Sequence, residues 1–234
     1  MKHTLLLFDI DGTILDAKGA GGKAWSRTAK AQFGNDYCMR KVKFAGNIDA
    51  VIYREAAEHN GIDDHEEKHR HFKHAYLEVL AEELMQHDVQ MCPGIDVLIR
   101  RLHEHASGGD AIMLGLLTGN YGGGAALKLK RVGIDPDWFR VQAFGDEGQV
   151  RADLTARAMK MYTALTDEDA QPGRVIVIGD TPKDIECAKA HGCVSFAVAT
   201  GPFDRDVLLE AGADVVVDDL QDPTPLLDLI DSVS

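Results

Sequence analysis

What this chain lacks narrows its class before any motif is read. No apolar stretch approaches ~20 residues, the length a membrane-spanning helix needs, so no membrane span is expected. The opening Met1-Lys2-His3-Thr4-Leu5 runs directly into apolar sequence with no signal-peptide cleavage pattern. The four cysteines, Cys38, Cys92, Cys187 and Cys193, form no CxxC pair, and their scatter predicts reduced thiols in a cytoplasmic protein rather than a disulfide framework. Positive charge is short: 25 Lys and Arg stand against 38 Asp and Glu, for a net charge of -13. An acidic surface repels nucleic acid and anionic membranes, which disfavours both as partners. P-loop, GxGxxG and HExxH patterns are missing, as are internal repeats and a low-complexity tail. What is present is 234 residues at 45% hydrophobic content, enough for one α/β domain with a sizeable core plus a small second domain.

The chain is organised around Leu5-Leu6-Leu7-Phe8-Asp9-Ile10-Asp11-Gly12-Thr13. A short apolar run without a period of its own reads as a strand buried on both faces. It ends abruptly in two carboxylates one residue apart, at the place where open α/β sheets put their ligand crevices. Side chains alternate along an extended strand, so Asp9 and Asp11 share a side, and Gly12 lets the backbone turn away. Two acids that close repel unless a cation lies between them or one keeps its proton.

Further buried strands are predicted at 112–117, 141–144, 174–178, 194–199 and 215–217. The second runs into Thr118-Gly119-Asn120, where a hydroxyl and backbone N–H groups entering a helix suit an anion. The fourth runs into Gly179-Asp180-Thr181-Pro182-Lys183-Asp184; Pro182 fits the first turn of a helix, which leaves Asp180 in the loop and Asp184 one turn along. Helices are predicted at 64–86, on the stripe Phe72, Tyr76, Val79, Leu80 and Leu84, at 48–60 with Asn60-Gly61 as its end, and after Pro93-Gly94. The glycine-rich 17–23 reads as a flexible connector. The crowded histidines His65, His69, His71 and His74 read as surface or packing residues, and Arg40-Lys41-Val42-Lys43 as a solvated face. Strands alternating with helices imply a doubly wound parallel sheet with right-handed crossovers. One connection, of about 75 residues between the first two strands, is too long for a plain crossover.

The four segments, in this order, resemble those of the haloacid dehalogenase-like superfamily, and in particular its phosphoglycolate phosphatase-like members with an inserted helical cap. The first matches that superfamily's DxDGT motif, the second its strand ending in Ser or Thr, and the fourth its GDxxxD motif; Arg151 stands where its third motif places a Lys or Arg, with Arg157 and Lys160 as rivals. The resemblance implies a Rossmann-like core of 1–16 and 93–234 and a helical cap of 17–92. It implies a Mg2+-dependent phosphatase acting on a small phosphorylated metabolite. Asp9 is then the nucleophile and Asp11 the acid and base; Thr118, Gly119, Asn120 and Arg151 hold the phosphoryl oxygens. Asp9, Asp11, Asp180 and Asp184 bind the metal. An acid at position 11 disfavours the dehalogenases and phosphonatases of the superfamily. A sugar-phosphate mutase and a catalytically silent phosphate-binding module remain as alternatives, and Lys18, Lys23, Arg40 and Arg54 are candidate substrate contacts from the cap.

Overall fold

The computed structural model describes residues 3–38, 44–62, 65–109, 111–146 and 150–233. The basic cluster 40–43, Arg40 included, lies outside them. β1 (Thr4–Phe8) is buried at all five positions and is flanked by two parallel neighbours. Its Leu and Phe side chains contribute about 2 kcal/mol each by leaving water. Around it lie β4 (Ile112–Thr118), β5 (Val141–Phe144), β6 (Val175–Gly179), β7 (Val194–Val198) and β8 (Val215–Val217), in the order β5-β4-β1-β6-β7-β8, all parallel. The chain winds from β1 outward through β4 and β5, then crosses back to β6 and outward through β7 and β8. The direction of winding therefore reverses at the centre, and the tips of β1, β4 and β6 share the resulting crevice.

The intervening helices are α4 (Ile95–Ser107), α5 (Gly122–Arg131), α6 (Arg151–Thr166), α7 (Pro182–Lys189), α8 (Arg205–Glu210) and α9 (Thr224–Val233). Leu6, Phe8, Leu114 and Ile176 on one sheet face pack into one buried cluster, and Leu5, Leu7, Met113 and Val177 on the other into a second, so the core lies on both sides of the sheet. The doubly wound expectation is met.

Between β1 and β4 the chain forms α1 (Ala20–Phe33), α2 (Asp49–His59) and α3 (His65–Gln86). Phe72, Tyr76, Leu80 and Leu84 of α3 are buried, as the stripe predicts. Around Trp25 of α1, Phe72 approaches to 4.3 Å between ring centroids, with Tyr53 and Tyr76 close by. Glu83 of α3, buried, pairs with Arg27 and Lys23 of α1 and ties the two helices. Where the chain leaves the sheet and returns to it, β2 (Leu15–Asp16) and β3 (Gln90–Met91) pair antiparallel, a ribbon the sequence reading did not anticipate. The glycine-rich stretch is corrected as well: only Ala17 to Gly19 connects, and α1 begins at Ala20 with Gly21 and Gly22 in its first turn. Propensity disfavours glycine there, but packing of α1 on α3 fixes the helix, and the missing side chains leave open space beside Lys128 and Tyr76.

Candidate active site

Asp9 continues the ladder of β1 by donating its N–H to Ile178 O at 2.9 Å, so its buried carboxylate stands at the tip of the central strand. Asp180 follows the last residue of β6, and Asp184 lies in the first turn of α7. One carboxylate oxygen from each of the three lies within 4.8 Å of the other two. Burial, with Asp184 and Asp9 adding repulsion, pushes Asp180 well above the ordinary carboxylate range. Burial also raises Asp184, against the opposing pull of Arg151. Crowded acids of this kind fit a hard divalent cation. Two glycines make room for them: a Cβ on Gly12 or Gly201 would stand 2.3 and 1.7 Å from Asp180 Oδ2, and Gly12 has φ +78°.

Arg151 is the first residue of α6 and is buried, with Nη2 at 2.9 Å from Asp9 Oδ2 and 2.5 Å from Asp184 Oδ1. Burial opposes its charge, but Asp184 and Asp9 outweigh that and hold its pKa above the usual value. Arg157 and Lys160 are exposed on the same helix. The second oxygen of Asp184 accepts from Thr181 N–H at 3.0 Å and Thr181 Oγ1 at 2.6 Å, so it also caps α7.

Asp11 faces other partners. Its Oδ2 accepts from Asn120 Nδ2 at 2.8 Å and from Lys128 Nζ at 2.5 Å; Lys128 also donates to Asn120 Oδ1 at 2.6 Å, and Asn120 Nδ2 to Thr118 Oγ1 at 2.8 Å. Sequence reasoning did not single out Lys128. The signal was there: it falls three and four residues after Ala125 and Gly124, on the buried face of α5. α5 itself starts at Gly122, two residues beyond Asn120. The N–H groups of Tyr121 and Gly122 are taken by Asp49 Oδ2 and Asp146 Oδ2, each at 2.8 Å. The Thr118 hydroxyl and the turn at Gly119 and Asn120 border the crevice instead.

A cavity of about 570 Å³ opens over these groups, bordered by Asp9, Asp11, Asp180, Arg151, Thr118 and Lys128 on the sheet side. Trp25, Phe44, Asp49, Ile52 and Tyr76 close it from the helical segment. That segment is seated on the sheet by its backbone: Asp49 N–H donates to Gly119 O at 2.7 Å and Ala50 N–H to Gly145 O at 3.4 Å. Burial pushes the Asp49 carboxyl up to about 7, with Lys128 pulling the other way. Lys18 pairs with Asp16 and Lys23 with Glu83, and neither they nor the half-buried Arg54 border the cavity. His69 bonds Tyr121 Oη at 2.7 Å and stacks on Tyr53, a packing role.

A family model described as haloacid dehalogenase-like hydrolase matches residues 6–198. A phosphoglycolate phosphatase of Synechococcus elongatus is 26% identical over 142 residues, which span 61% of this chain and 60% of that relative, less than two thirds of its length. Among solved structures, a hydrolase from Pseudomonas syringae superposes with a TM-score of 0.69 at 20% identity, covering 97% of this chain and 99% of the other. CbbY from Rhodobacter sphaeroides, in complex with phosphate, gives 0.70 at 18%, covering 94% and 96%. At these identities the structures speak to the fold.

Proposed function

Because the chain belongs to the haloacid dehalogenase-like hydrolases, we propose that it is a phosphatase cleaving small phosphomonoesters through an aspartyl-phosphate on Asp9. The observation that carries this reading is the buried cluster of Asp9, Asp180 and Asp184 at the strand tips, with Arg151 against two of them and a cavity above. Phosphoryl transfer requires little beyond alignment and charge neutralisation. Asp9 attacks phosphorus as the leaving oxygen departs. Asp11, held by Lys128 and Asn120, gives that oxygen its proton and later takes one from the attacking water. Thr118, the N–H groups of Gly119 and Asn120, and Arg151 hold the phosphoryl oxygens. Arg151 also keeps the Asp9 carboxylate aimed, a task its planar fork suits. A divalent cation, Mg2+ by the preference of hard oxygens, would be held by Asp9, the Asp11 carbonyl and Asp180, with Asp184 ligating directly or through water, and would supply charge neutralisation. Residues 17–92 act as a cap over a core of 1–16 and 93–234. The β2–β3 ribbon at both crossings and the hydrogen bonds to Gly119 and Gly145 support that division.

The test is release of inorganic phosphate from a metabolite panel with Mg2+, with and without a chelator, by the native chain and by Asp9→Asn. Turnover that vanishes in the variant and with the chelator is the expected result. Equal release by the variant removes the mechanism, and isomerised product without net phosphate moves the chain to the mutases.

A further inference from the structure

Asp49 is an acid for which the phosphate chemistry has no use. It lies buried in the first turn of α2 and borders the cavity. Its backbone is fixed by the bond from its N–H to Gly119 O, and its carboxyl is aimed by the Tyr121 N–H on Oδ2. Oδ1 has no hydrogen-bond donor among the described residues.

The charges around it are one-sided. Among the described residues, Lys128 and Arg151 are the bases bordering the cavity. Both are already matched, the first by Asp11 and Asn120 and the second by Asp9 and Asp184. The helical segment brings no base to the wall among those residues; it brings the apolar Trp25, Phe44, Ile52 and Tyr76, with Asn47 and the acid Asp49. Of the described bases of that segment, Lys23 and Arg27 meet Glu83, and Lys18 meets Asp16. A second phosphate or a carboxylate on the leaving group would be desolvated beside Asp49, with no unmatched base bordering the cavity among the described residues. A hydroxyl would find an acceptor there and apolar walls for its carbon skeleton.

We propose that Asp49 sets specificity for the leaving group: it accepts a hydrogen bond from a hydroxyl of an uncharged sugar, polyol or nucleoside and repels monoesters that carry a second anion. This rests on the phosphatase reading and adds a substrate class to it. The apolar walls hold the skeleton, and Asp49 selects for a donor over an anion by the same charge that disfavours the wrong partner.

Steady-state kinetics with Mg2+ on the full chain at about pH 8.5, where the Asp49 carboxyl is ionised, test it. The probes are p-nitrophenyl phosphate, an uncharged set (glycerol, ribose and glucose phosphates and a nucleoside monophosphate) and an anionic set (phosphoglycolate, phosphoglycerate and a sugar bisphosphate). The best uncharged ester is expected to exceed the best anionic one by about tenfold or more in kcat/KM. Asp49→Asn keeps an oxygen for the Tyr121 N–H but loses the charge. It should narrow that ratio by about tenfold, with the loss on uncharged esters falling mainly on KM. Because the ratio is taken within one preparation, a partly folded sample does not alter it. Anionic esters cleaved as well as uncharged ones, or a ratio that Asp49→Asn leaves unmoved, overturns the proposal while the phosphatase reading stands. Failure to cleave any probe, p-nitrophenyl phosphate included, overturns the phosphatase reading and the inference with it.

Discussion

Lys128 and Asp184 show how much a single side chain here depends on its neighbours. Lys128 is buried in α5 with its ammonium divided between Asp11 and Asn120, so it fixes where the carboxyl proposed to transfer the proton points. Replacing it with Met keeps the length and the apolar stem but removes both bonds. We expect kcat to fall by about ten- to a hundredfold, the usual cost of a mispositioned group, with a smaller change in KM. Unchanged kcat in a folded Lys128→Met protein would return Lys128 to a packing role. Asp184 carries two tasks at once, bonding Arg151 with one oxygen and capping α7 with the other. The capping is plain in the hydrogen bonds to Thr181, and the metal role proposed for Asp184 leaves it in place. The acids of the site were legible because they sit in runs next to buried strands. Asp49 was not, because nothing local to α2 says that its first turn will meet the loop after β4.

The elements followed their periods closely. β5 and β8 fall on the expected residues, and α4 starts after Gly94 as the Pro-Gly pair implies. Gly94 is needed for two reasons: its φ is +84°, and a Cβ would stand 2.0 Å from the Leu220 carbonyl carbon. Gly94→Ala should therefore cost about 1–3 kcal/mol in chemical denaturation, for the left-handed backbone plus a clash against main chain that cannot turn aside. A midpoint equal to that of the native chain would refute this account of the turn. The two misreadings have physical causes. Gly21 and Gly22 are helical because α1 is held by Trp25 against Phe72 and by Glu83, which outweighs a weak local propensity. The β2–β3 ribbon is two residues per strand, too short for any period to register, and it pairs residues far apart in the chain.

At the scale of the whole molecule, two strand tips and the first turn of α7 bring like charges into one buried space, and stability must respond to pH. Asp180 and Asp184 are raised above 3.8 by burial and repulsion. A carboxyl that binds its proton more tightly folded than unfolded contributes stability below the unfolded pKa. That contribution is lost as pH climbs through the raised value. The metal-free chain should thus weaken from acid toward alkaline pH as far as these groups are concerned. A divalent cation replaces the protons, so the rise in Tm on adding Mg2+ should be larger at about pH 8 than at about pH 5. Thermal unfolding with chelator and with Mg2+ at both values measures it, and a gain that shrinks with rising pH contradicts the cluster as the binding site. The amino-acid order alone determined the six strands of the main sheet, the helices apart from the start of α1, and the acidic turns, since each is encoded within a few neighbouring residues by burial period and turn chemistry. Which acids meet, which base pairs with which of them, and that Asp49 and Trp25 close the cavity were decided only by tertiary packing. Those distances depend on how segments far apart in the chain stack across one sheet, and no local period carries that information.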